Sequence, residues 1–173
     1  VLVTGVGPIG IGAALFARFK GAHVTLLDLS TERLAMAADK FGFDSGHTSA
    51  DAAIKAMDGE GYDVLFDATG YGGAIEAGFP AVAHGGSYVL VSVVKDDITF
   101  NDPEFHKREM RLIGSRNALK ADFDWVMSAF RDNLIDADAL CSNVISLDDL
   151  TTAFGELAAG RAGLIKAIVQ LND

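Results

Sequence analysis

Residues 1–10 read VLVTGVGPIG, and this stretch decides the fold that the sequence predicts. Its apolar, β-branched start is typical of a buried strand, and glycines follow at Gly5, Gly7 and Gly10. In a G-x-G-x-x-G pattern, the first glycine allows a tight turn and the second lets the backbone approach a pyrophosphate. The third lets a helix pack closely against the strand. We therefore predict a phosphate-binding turn between a strand and a helix.

The residues after this turn favour a helix whose N-terminal end faces the phosphates. Ile11 to Lys20 has a helical pattern, and Pro8 suits a first helical turn because its missing N–H has no intrahelical partner there. Free N–H groups and the positive end of the helix dipole attract anions. A glycine-rich turn without a ligand is the alternative interpretation.

Asp28 stands where dinucleotide-binding proteins carry a ribose-binding acid. A second apolar strand, His23 to Leu27, ends at Asp28, roughly 20 positions beyond the glycines. Such an acid accepts hydrogen bonds from ribose hydroxyls and repels a 2′-phosphate, so the sequence predicts NAD rather than NADP. Arg33 stands alone, without the basic cluster that a further phosphate would need. Alternatively, Asp28 is only an acid near the start of the next helix.

Composition and charge narrow the function classes. The formal net charge of −10 argues against nucleic acid or an anionic membrane as a partner. The single cysteine, Cys141, excludes an intrachain disulfide and a cysteine-based zinc site. No apolar run has membrane-spanning length and no signal peptide is visible, so we expect a cytoplasmic protein. Because Val1 already lies in a core strand, we expect the sequence to be cut from a longer protein.

Strands and helices alternate over the first two thirds of the chain. The predicted strands are Val1–Thr4, His23–Leu27, Phe43–His47, Asp63–Ala68, Ser87–Val93 and Met110–Ser115, and Ile98–Phe100 is compatible with a short additional strand. The predicted helices are Ile11–Lys20, Thr31–Gly42, Asp51–Met57, Gly72–Ala83 and Pro103–Glu109. Such alternation implies a parallel sheet with helices on both faces. We predict an α/β, doubly wound Rossmann fold with strand order 3-2-1-4-5-6 and a ligand at the carboxyl ends of the strands.

The pattern changes after Asn117. We predict a dinucleotide-binding domain over residues 1–117 and a C-terminal segment over residues 118–173. This segment reads as a helix-strand-helix-strand appendage, with elements at Ala121–Asn133, Leu140–Ile145, Leu147–Ala159 and Leu164–Leu171.

Five landmarks along the whole chain resemble the medium-chain, zinc-dependent alcohol and polyol dehydrogenases. They are the glycine turn, Asp28 with Arg33, the run Asp67-Ala68-Thr69-Gly70, Gly85-Gly86 leading into Val91-Ser92-Val93, and the closing Ile165-Lys166-Ala167. Within that family, Phe105 to Glu109 followed by Gly114 to Asn117 is most similar to the sugar-acid and polyol branch, which contains L-gulonate and L-galactonate dehydrogenases.

The resemblance implies a part for each motif in binding NAD. The pyrophosphate would lie at Gly5, Gly7, Pro8, Ile9 and Gly10. The adenosine half would lie beside Asp28, Arg33, Ala68, Thr69 and Gly70. The nicotinamide half would lie beside Val91, Ser92, Val93, Arg116 and Asn117, and Lys166 would reach the pyrophosphate as a point charge. Alternatively, Val91 and Val93 are core residues, Arg33 and Lys166 are solvated cations, and Arg116 is a surface ion-pair partner.

The resemblance also implies that catalysis needs residues outside this sequence. Members of the family carry their zinc ligands and proton relay in an N-terminal domain, to which residues 118–173 would return. The four histidines here lack metal-ligand spacing, and Cys141 has no cysteine partner. We therefore expect cofactor binding without a zinc site, a catalytic residue or turnover. The whole enzyme would transfer hydride from a secondary alcohol of a polyol or sugar acid to NAD; a regulatory NAD-sensing domain is the alternative.

The sixth predicted strand indicates how the chain associates. We expect it at one edge of the sheet, where it is a template for pairing with a second chain. The resemblance implies that two such edges meet about a two-fold axis in a homodimer or tetramer. Met110, Leu112 and Ile113 would then be covered. Alternatively, the helix at Ala121–Asn133 or a loop covers this edge in a monomer.

Overall fold

The computed structural model describes residues 1–159 and 164–171, and its contacts separate Val1–Asn117 from Ala118–Asp173 as two units. The first unit contains a six-stranded sheet and the second a two-stranded sheet. No helix within the described residues is long and apolar enough to span a membrane.

A parallel sheet forms the centre of the first unit. Its strands are β1 (Leu2–Thr4), β2 (Thr25–Leu27), β3 (Gly46–His47), β4 (Tyr62–Asp67), β5 (Val82–Leu90) and β6 (Arg111–Gly114). They lie in the order β3-β2-β1-β4-β5-β6, and every pair is parallel. This confirms the predicted doubly wound fold. The carboxyl ends of the strands therefore meet at one edge of the sheet.

Helices connect the strands, and polar side chains fix where several of them begin. They are α1 (Pro8–Phe19), α2 (Thr31–Phe41), α3 (Ala50–Ala56), α4 (Gly72–Gly78) and α5 (Asp102–Lys107). The side chains of Ser30, Ser49 and Asn101 accept hydrogen bonds from backbone N–H groups in the first turns of α2, α3 and α5. These caps satisfy N–H groups that the helices themselves leave without partners.

The segment around β5 differs from its prediction. The predicted helix Gly72–Ala83 ends at Gly78, and a 3₁₀ turn follows at Phe79–Ala81. Pro80 explains this end, because proline lacks an N–H and clashes within an α-helix. β5 then starts at Val82, five residues before its predicted start, and ends at Leu90. Consequently Val91 to Val93, expected inside the strand, lie just beyond it.

Other predictions also differ from the structure: β2 begins at Thr25 rather than His23, and β3 begins at Gly46 rather than Phe43. Helix α1 begins at Pro8 rather than Ile11, with Gly7 as its N-cap residue. Ile98–Phe100 forms no strand. The Phe100 ring instead packs in an aromatic cluster, with centroid distances of 5.1 Å to Phe79 and 5.0 Å to Phe105.

Tyr88 is the largest fully buried residue in the core of the first unit. Its hydroxyl donates to the carbonyl of Ile75 at 3.0 Å, and its ring meets that of Phe79 edge to face. A Cβ atom on Gly78 would lie 2.4 Å from this hydroxyl, so the helix can approach Tyr88 only without a side chain there. Burial raises the pKa of Tyr88 above its ordinary value, and the charge of Asp67 acts in the same direction.

The second unit contains two parallel strands and three helices among its described residues. The strands are β7 (Asn143–Ser146) and β8 (Ala167–Gln170), and the helices are α6 (Lys120–Arg131), α7 (Ala137–Leu140) and α8 (Leu150–Ala158). The predicted helix-strand-helix-strand order is present, with α7 added. Leu140, predicted to open a strand, is instead the last residue of α7. The Asp136 side chain fixes the start of this helix by accepting from the N–H groups of Asp138 and Ala139. The predicted segment's last residues, 172–173, lie outside the described residues.

Candidate functional site

A cleft of about 660 Å³ lies at the carboxyl ends of β1, β2 and β4. The connection after β1 leads to β2 on one side, whereas the connection after β4 leads to β5 on the other. Doubly wound folds bind ligands at this switch point, and pockets for small molecules have volumes of about 300–1,000 Å³. The walls are the glycine turn, the segment Asp28–Arg33 and the segment Ala68–Tyr71, with Ser49 at the start of α3.

The three motif glycines have different surroundings. Gly5 has a φ of +86°, and a Cβ atom on it would lie 2.9 Å from the carbonyl carbon of Ala68. A Cβ atom on Gly10 would lie 1.8 Å from the Gly5 carbonyl oxygen. Apart from Gly7 itself, its chain neighbours and the nearby helix backbone, no atom lies within 4 Å of the corresponding position on Gly7. Gly5 and Gly10 are therefore required by the packing of the chain itself, whereas Gly7 leaves space where a ligand could approach the backbone.

The N-terminal end of α1 borders this space. Gly7 is the N-cap residue, and no side chain caps the helix. Pro8 has no N–H to satisfy, and the N–H groups of Ile9 and Gly10 are the first that the helix offers. This is the arrangement that binds phosphate groups at helix N-termini.

Asp28 joins two walls of the cleft. Its Oδ2 accepts from the Val6 N–H at 2.7 Å, and its Oδ1 accepts from the Ser30 N–H at 2.9 Å. The Arg33 guanidinium lies 3.7 Å from Oδ2, with its side chain 44% exposed. Asp28 thus anchors the glycine turn as well as the start of α2. Because each carboxylate oxygen has two lone pairs, Asp28 can still accept from a ribose hydroxyl.

Asp67 ends β4 directly before the segment that forms the third wall, and the sequence identified it only as the first residue of a landmark run, with no part in binding. Asp67 is fully buried, and its carboxylate accepts from the Thr69 hydroxyl at 2.7 Å and the Thr69 N–H at 3.3 Å. The Ser92 hydroxyl also donates to it, and the Thr4 hydroxyl lies 3.1 Å away. An acid that ends an apolar strand was the available signal, because a buried carboxylate must find partners.

The segment after β5 is held close to Asp67. The N–H groups of Val91 and Ser92 donate to the Asp67 carbonyl at 3.0 and 3.1 Å. Val93 is 81% exposed, which excludes the alternative interpretation of Val93 as a core residue. Val91 and Ser92 are partly buried.

The structure brings some predicted site residues together and leaves others apart. The cleft is lined by Gly5, Gly7, Asp28, Arg33, Ala68 and Thr69. In the first unit, Pro8, Ile9, Gly10, Gly70, Val91, Ser92, Val93, Arg116 and Asn117 lie outside this lining. Arg116 and Asn117 are exposed beyond the carboxyl end of β6. Lys166 belongs to the second unit, where it is exposed just before β8.

Two apolar side chains beside the cleft were also missed. Leu29 is 86% exposed and Tyr71 is 70% exposed, and both contribute to the lining. Exposed apolar groups that cluster at a cavity are typical of ligand contacts. The position of Leu29 directly after Asp28 was the sequence signal that could have identified it.

Zinc does not fit the part of the chain that the structure describes. Within residues 1–159 and 164–171, no group of three or more His, Cys, Asp or Glu side chains is placed to hold a metal ion. Catalytic zinc sites use three protein ligands, and structural zinc sites use four.

The chain is similar in sequence and in structure to several known dehydrogenases. L-galactonate-5-dehydrogenase of Escherichia coli (strain K12) is 34% identical over 173 residues, which cover 98% of this chain and 51% of that protein. Sorbitol dehydrogenase of Halalkalibacterium halodurans is 27% identical, with 94% of this chain and 49% of that protein covered. The crystal structure of 2R,3R-butanediol dehydrogenase from Bacillus subtilis has a TM-score of 0.86 at 22% identity, covering 99% of this chain and 50% of that one.

The chain spans about half the length of the curated relatives it matches. The sequence model of the zinc-binding dehydrogenases matches residues 8–132, which is more than half of the chain. This match confirms the resemblance found in the sequence. The chain belongs to the zinc-binding dehydrogenase family.

Proposed function

We propose that this chain is the NAD(H)-binding half of a zinc-dependent oxidoreductase that transfers hydride from a secondary alcohol to NAD. The observation that carries this proposal is the cleft at the switch point of the sheet. Gly7 leaves open space there beside the uncapped N-terminus of α1, and Asp28 lies on the facing wall. Phosphate groups suit the helix N-terminus, and a ribose suits the carboxylate.

The proposal assigns the site residues by cofactor segment. The pyrophosphate lies against Gly5, Gly7, Pro8, Ile9 and Gly10, with Lys166 as a further cation. The adenosine lies beside Asp28, Arg33, Ala68, Thr69 and Gly70. The nicotinamide lies beside Val91, Ser92, Val93, Arg116 and Asn117. When bound, NAD supplies the hydride acceptor, and these residues supply binding and orientation.

We place the zinc and the catalytic residues of the whole enzyme outside the described residues, because these offer no fitting ligand cluster. A polyol or sugar acid as substrate is supported by the relatives named L-galactonate-5-dehydrogenase and sorbitol dehydrogenase. A chain of this kind binds the cofactor without oxidising the alcohol.

We propose a homodimer, or a tetramer built from it, through the edge of the sheet. β6 ends the strand order, and its residues Leu112 and Ile113 are 40% and 44% exposed. An unpaired strand edge of this kind is a template for pairing with a second copy. Met110, which was expected to be covered by the partner, is already buried within the core of the single chain.

The proposal also includes a cytoplasmic location, with NAD(H) rather than nucleic acid as partner. The net charge of −10 repels polyanions and anionic membrane surfaces. Cys141, the single cysteine, is free, as is usual in a reducing compartment.

Calorimetric titration of this chain with NADH tests the proposal. We expect a single binding event, together with no zinc after dialysis and no NADH production from polyols or aldonates. Absence of NADH binding by a folded chain would overturn the proposed function. Stoichiometric zinc or turnover would show that the catalytic residues lie within this sequence.

A further inference from the structure

We propose that Asp67 is a positioning residue, which holds the segment after β5 in the conformation that receives the nicotinamide half of the cofactor. This inference rests on the proposed function, which places Val91 to Val93 beside the nicotinamide. Asp67 opens the run Asp67-Ala68-Thr69-Gly70, but none of the proposed cofactor contacts includes it, and we assign it an action through Ser92.

The contacts of Asp67 converge on the first two residues beyond β5. Leu90, the last residue of the strand, is in register with Asp67 of β4. The N–H groups of Val91 and Ser92 then both donate to the Asp67 carbonyl, at 3.0 and 3.1 Å. The Ser92 hydroxyl donates to the Asp67 carboxylate. One residue therefore makes three hydrogen bonds to a segment that the sheet no longer holds.

The same carboxylate also fixes the opposite side of the site. Its Oδ1 accepts from the Thr69 hydroxyl at 2.7 Å, and its Oδ2 lies 3.3 Å from the Thr69 N–H. The Thr4 hydroxyl at the end of β1 lies 3.1 Å from Oδ1 and 3.2 Å from the Phe66 carbonyl, so it can donate to either. Asp67 thus links the ends of β1, β4 and β5.

The full burial of Asp67 supports a positioning role for its hydrogen bonds. Asp67 has no exposed surface, and removing a carboxylate from water carries a free-energy penalty that an apolar side chain would avoid. The hydrogen bonds satisfy the carboxylate, and together with those to the Asp67 carbonyl they fix the Ser92 rotamer and the backbone of Val91 and Ser92. A segment that is ordered before the ligand arrives loses less conformational entropy on binding.

ADP-ribose provides the probe that separates positioning from general stability, because it contains the adenosine and pyrophosphate but lacks the nicotinamide. We would measure dissociation constants for NADH and ADP-ribose by calorimetry on the intact chain. The variants are Ser92→Ala, Asp67→Asn and the double variant, with Ser92→Thr as the conservative replacement that keeps the hydroxyl. Ser45→Ala is the matched control, because it removes an exposed hydroxyl bonded to Thr25 at the opposite end of the sheet.

We expect Ser92→Ala to weaken NADH binding about tenfold, the effect of losing one hydrogen bond to a charged group. ADP-ribose binding should change less than about twofold, and Ser92→Thr should restore NADH affinity. Asp67→Asn should weaken NADH binding similarly, and the double variant should be no worse than Asp67→Asn, because both changes break one linkage. Ser45→Ala should change neither dissociation constant.

Several results would overturn the inference. Equal weakening of NADH and ADP-ribose would mean that Asp67 only stabilises the fold. Additive effects in the double variant would mean that Ser92 meets the cofactor independently of Asp67. If Asp67→Asn fails to fold, the ratio of the NADH and ADP-ribose dissociation constants of Ser92→Ala still tests the inference. Unchanged NADH binding in Ser92→Ala would refute positioning while leaving the proposed function intact, whereas a wild-type chain that binds neither ligand would refute both.

Discussion

At the scale of single residues, Asp28 has both a structural and a proposed functional part. Its carboxylate holds the glycine turn through the Val6 N–H and the start of α2 through the Ser30 N–H. The sequence alone is compatible with either part, and the geometry allows both at once. A carboxylate fixed by two backbone groups is an acceptor whose position is set before a ribose arrives.

Replacing Asp28 with serine should narrow the preference for NAD over NADP. The variant loses the ribose acceptor and the charge that repels a 2′-phosphate, and it releases Arg33 from its contact at 3.7 Å. We expect NAD to bind about tenfold more weakly while NADP binds no worse. Calorimetric titration with both cofactors checks this, and Asp39→Ser on the exposed side of α2 is the charge-matched control. An unchanged ratio of the two affinities would refute the ribose assignment.

Gly10 should be intolerant of any side chain, for reasons that need no ligand. A Cβ atom there would lie 1.8 Å from the Gly5 carbonyl oxygen, which is backbone and cannot rotate away. We expect Gly10→Ala to lower the free energy of unfolding by about 3 kcal/mol, the upper end of the usual overpacking penalty. Gly12→Ala on the same helix has open space around its Cβ and should instead stabilise by about 1 kcal/mol. Urea unfolding followed by circular dichroism compares them, and similar behaviour of the two variants would contradict the close approach.

At the scale of elements, the order of strands and helices was predictable from local patterns, whereas the bounds of β5 were not. Ser30 and the glycine turn mark the starts of α2 and α1 through neighbouring residues alone. β5 passes through Gly85 at a φ of +72°, although the predicted strand began only at Ser87. The strand continues because Gly85 donates to the Arg108 carbonyl at 2.7 Å and accepts from the Arg111 side chain at 2.8 Å. Those partners are more than twenty residues away in sequence, so no local pattern could reveal them.

The same reason explains what was missed at the site. The side-chain partners of Asp67 lie at the end of β1, after β4 and after β5, and only folding brings Thr4 and Ser92 to one carboxylate. The glycine turn and Asp28, by contrast, follow a motif with fixed spacing along the chain. Sequence patterns therefore identified the walls of the cleft but not the contacts by which Asp67 links the ends of β1, β4 and β5.

The buried Tyr88 of β5, whose hydroxyl donates to Ile75 of α4, should make stability depend on pH in the alkaline range. Because burial raises the pKa of folded Tyr88 above its ordinary value of about 10, the unfolded state releases this proton first. The contribution of this proton to the free energy of unfolding is complete below pH 10. It is lost as the pH rises further, at up to about 1.4 kcal/mol per pH unit. Unfolding in urea between pH 8 and 11 should show a steeper decline for wild type than for Tyr88→Phe. The exposed Tyr71→Phe serves as control, and equal slopes for wild type and Tyr88→Phe would contradict the assignment.

At the scale of the whole molecule, the exposed edge of the sheet determines the expected association. A lysine at Ile113 of β6 would place a charge from each copy at the proposed interface, so Ile113→Lys should be monomeric. Light scattering at micromolar concentration should give about twice 18.2 kDa for wild type and 18.2 kDa for the variant. Val144→Lys in β7 changes a residue that is also exposed, at 60%, and should remain dimeric. A monomeric wild type would contradict the proposed dimer.

The central claim is that NAD(H) binds in the cleft between the glycine turn, Asp28 and Thr69. A second cavity of about 460 Å³, lined in part by Phe79, Phe100 and Phe105, is the competing place for a ligand on the first unit. Titration of the ¹⁵N-labelled chain with NADH, followed by nuclear magnetic resonance, distinguishes them because each backbone amide reports on its own surroundings.

We expect the largest changes in backbone amide chemical shift at Gly7 to Gly10 and at Asp28 to Arg33, with smaller changes at Val91 to Val93. Pro8 has no amide to observe, so Gly7, Ile9 and Gly10 report on the turn. Changes confined to the residues around Phe100 and Phe105, with the glycine turn unaffected by saturating NADH, would contradict binding in this cleft.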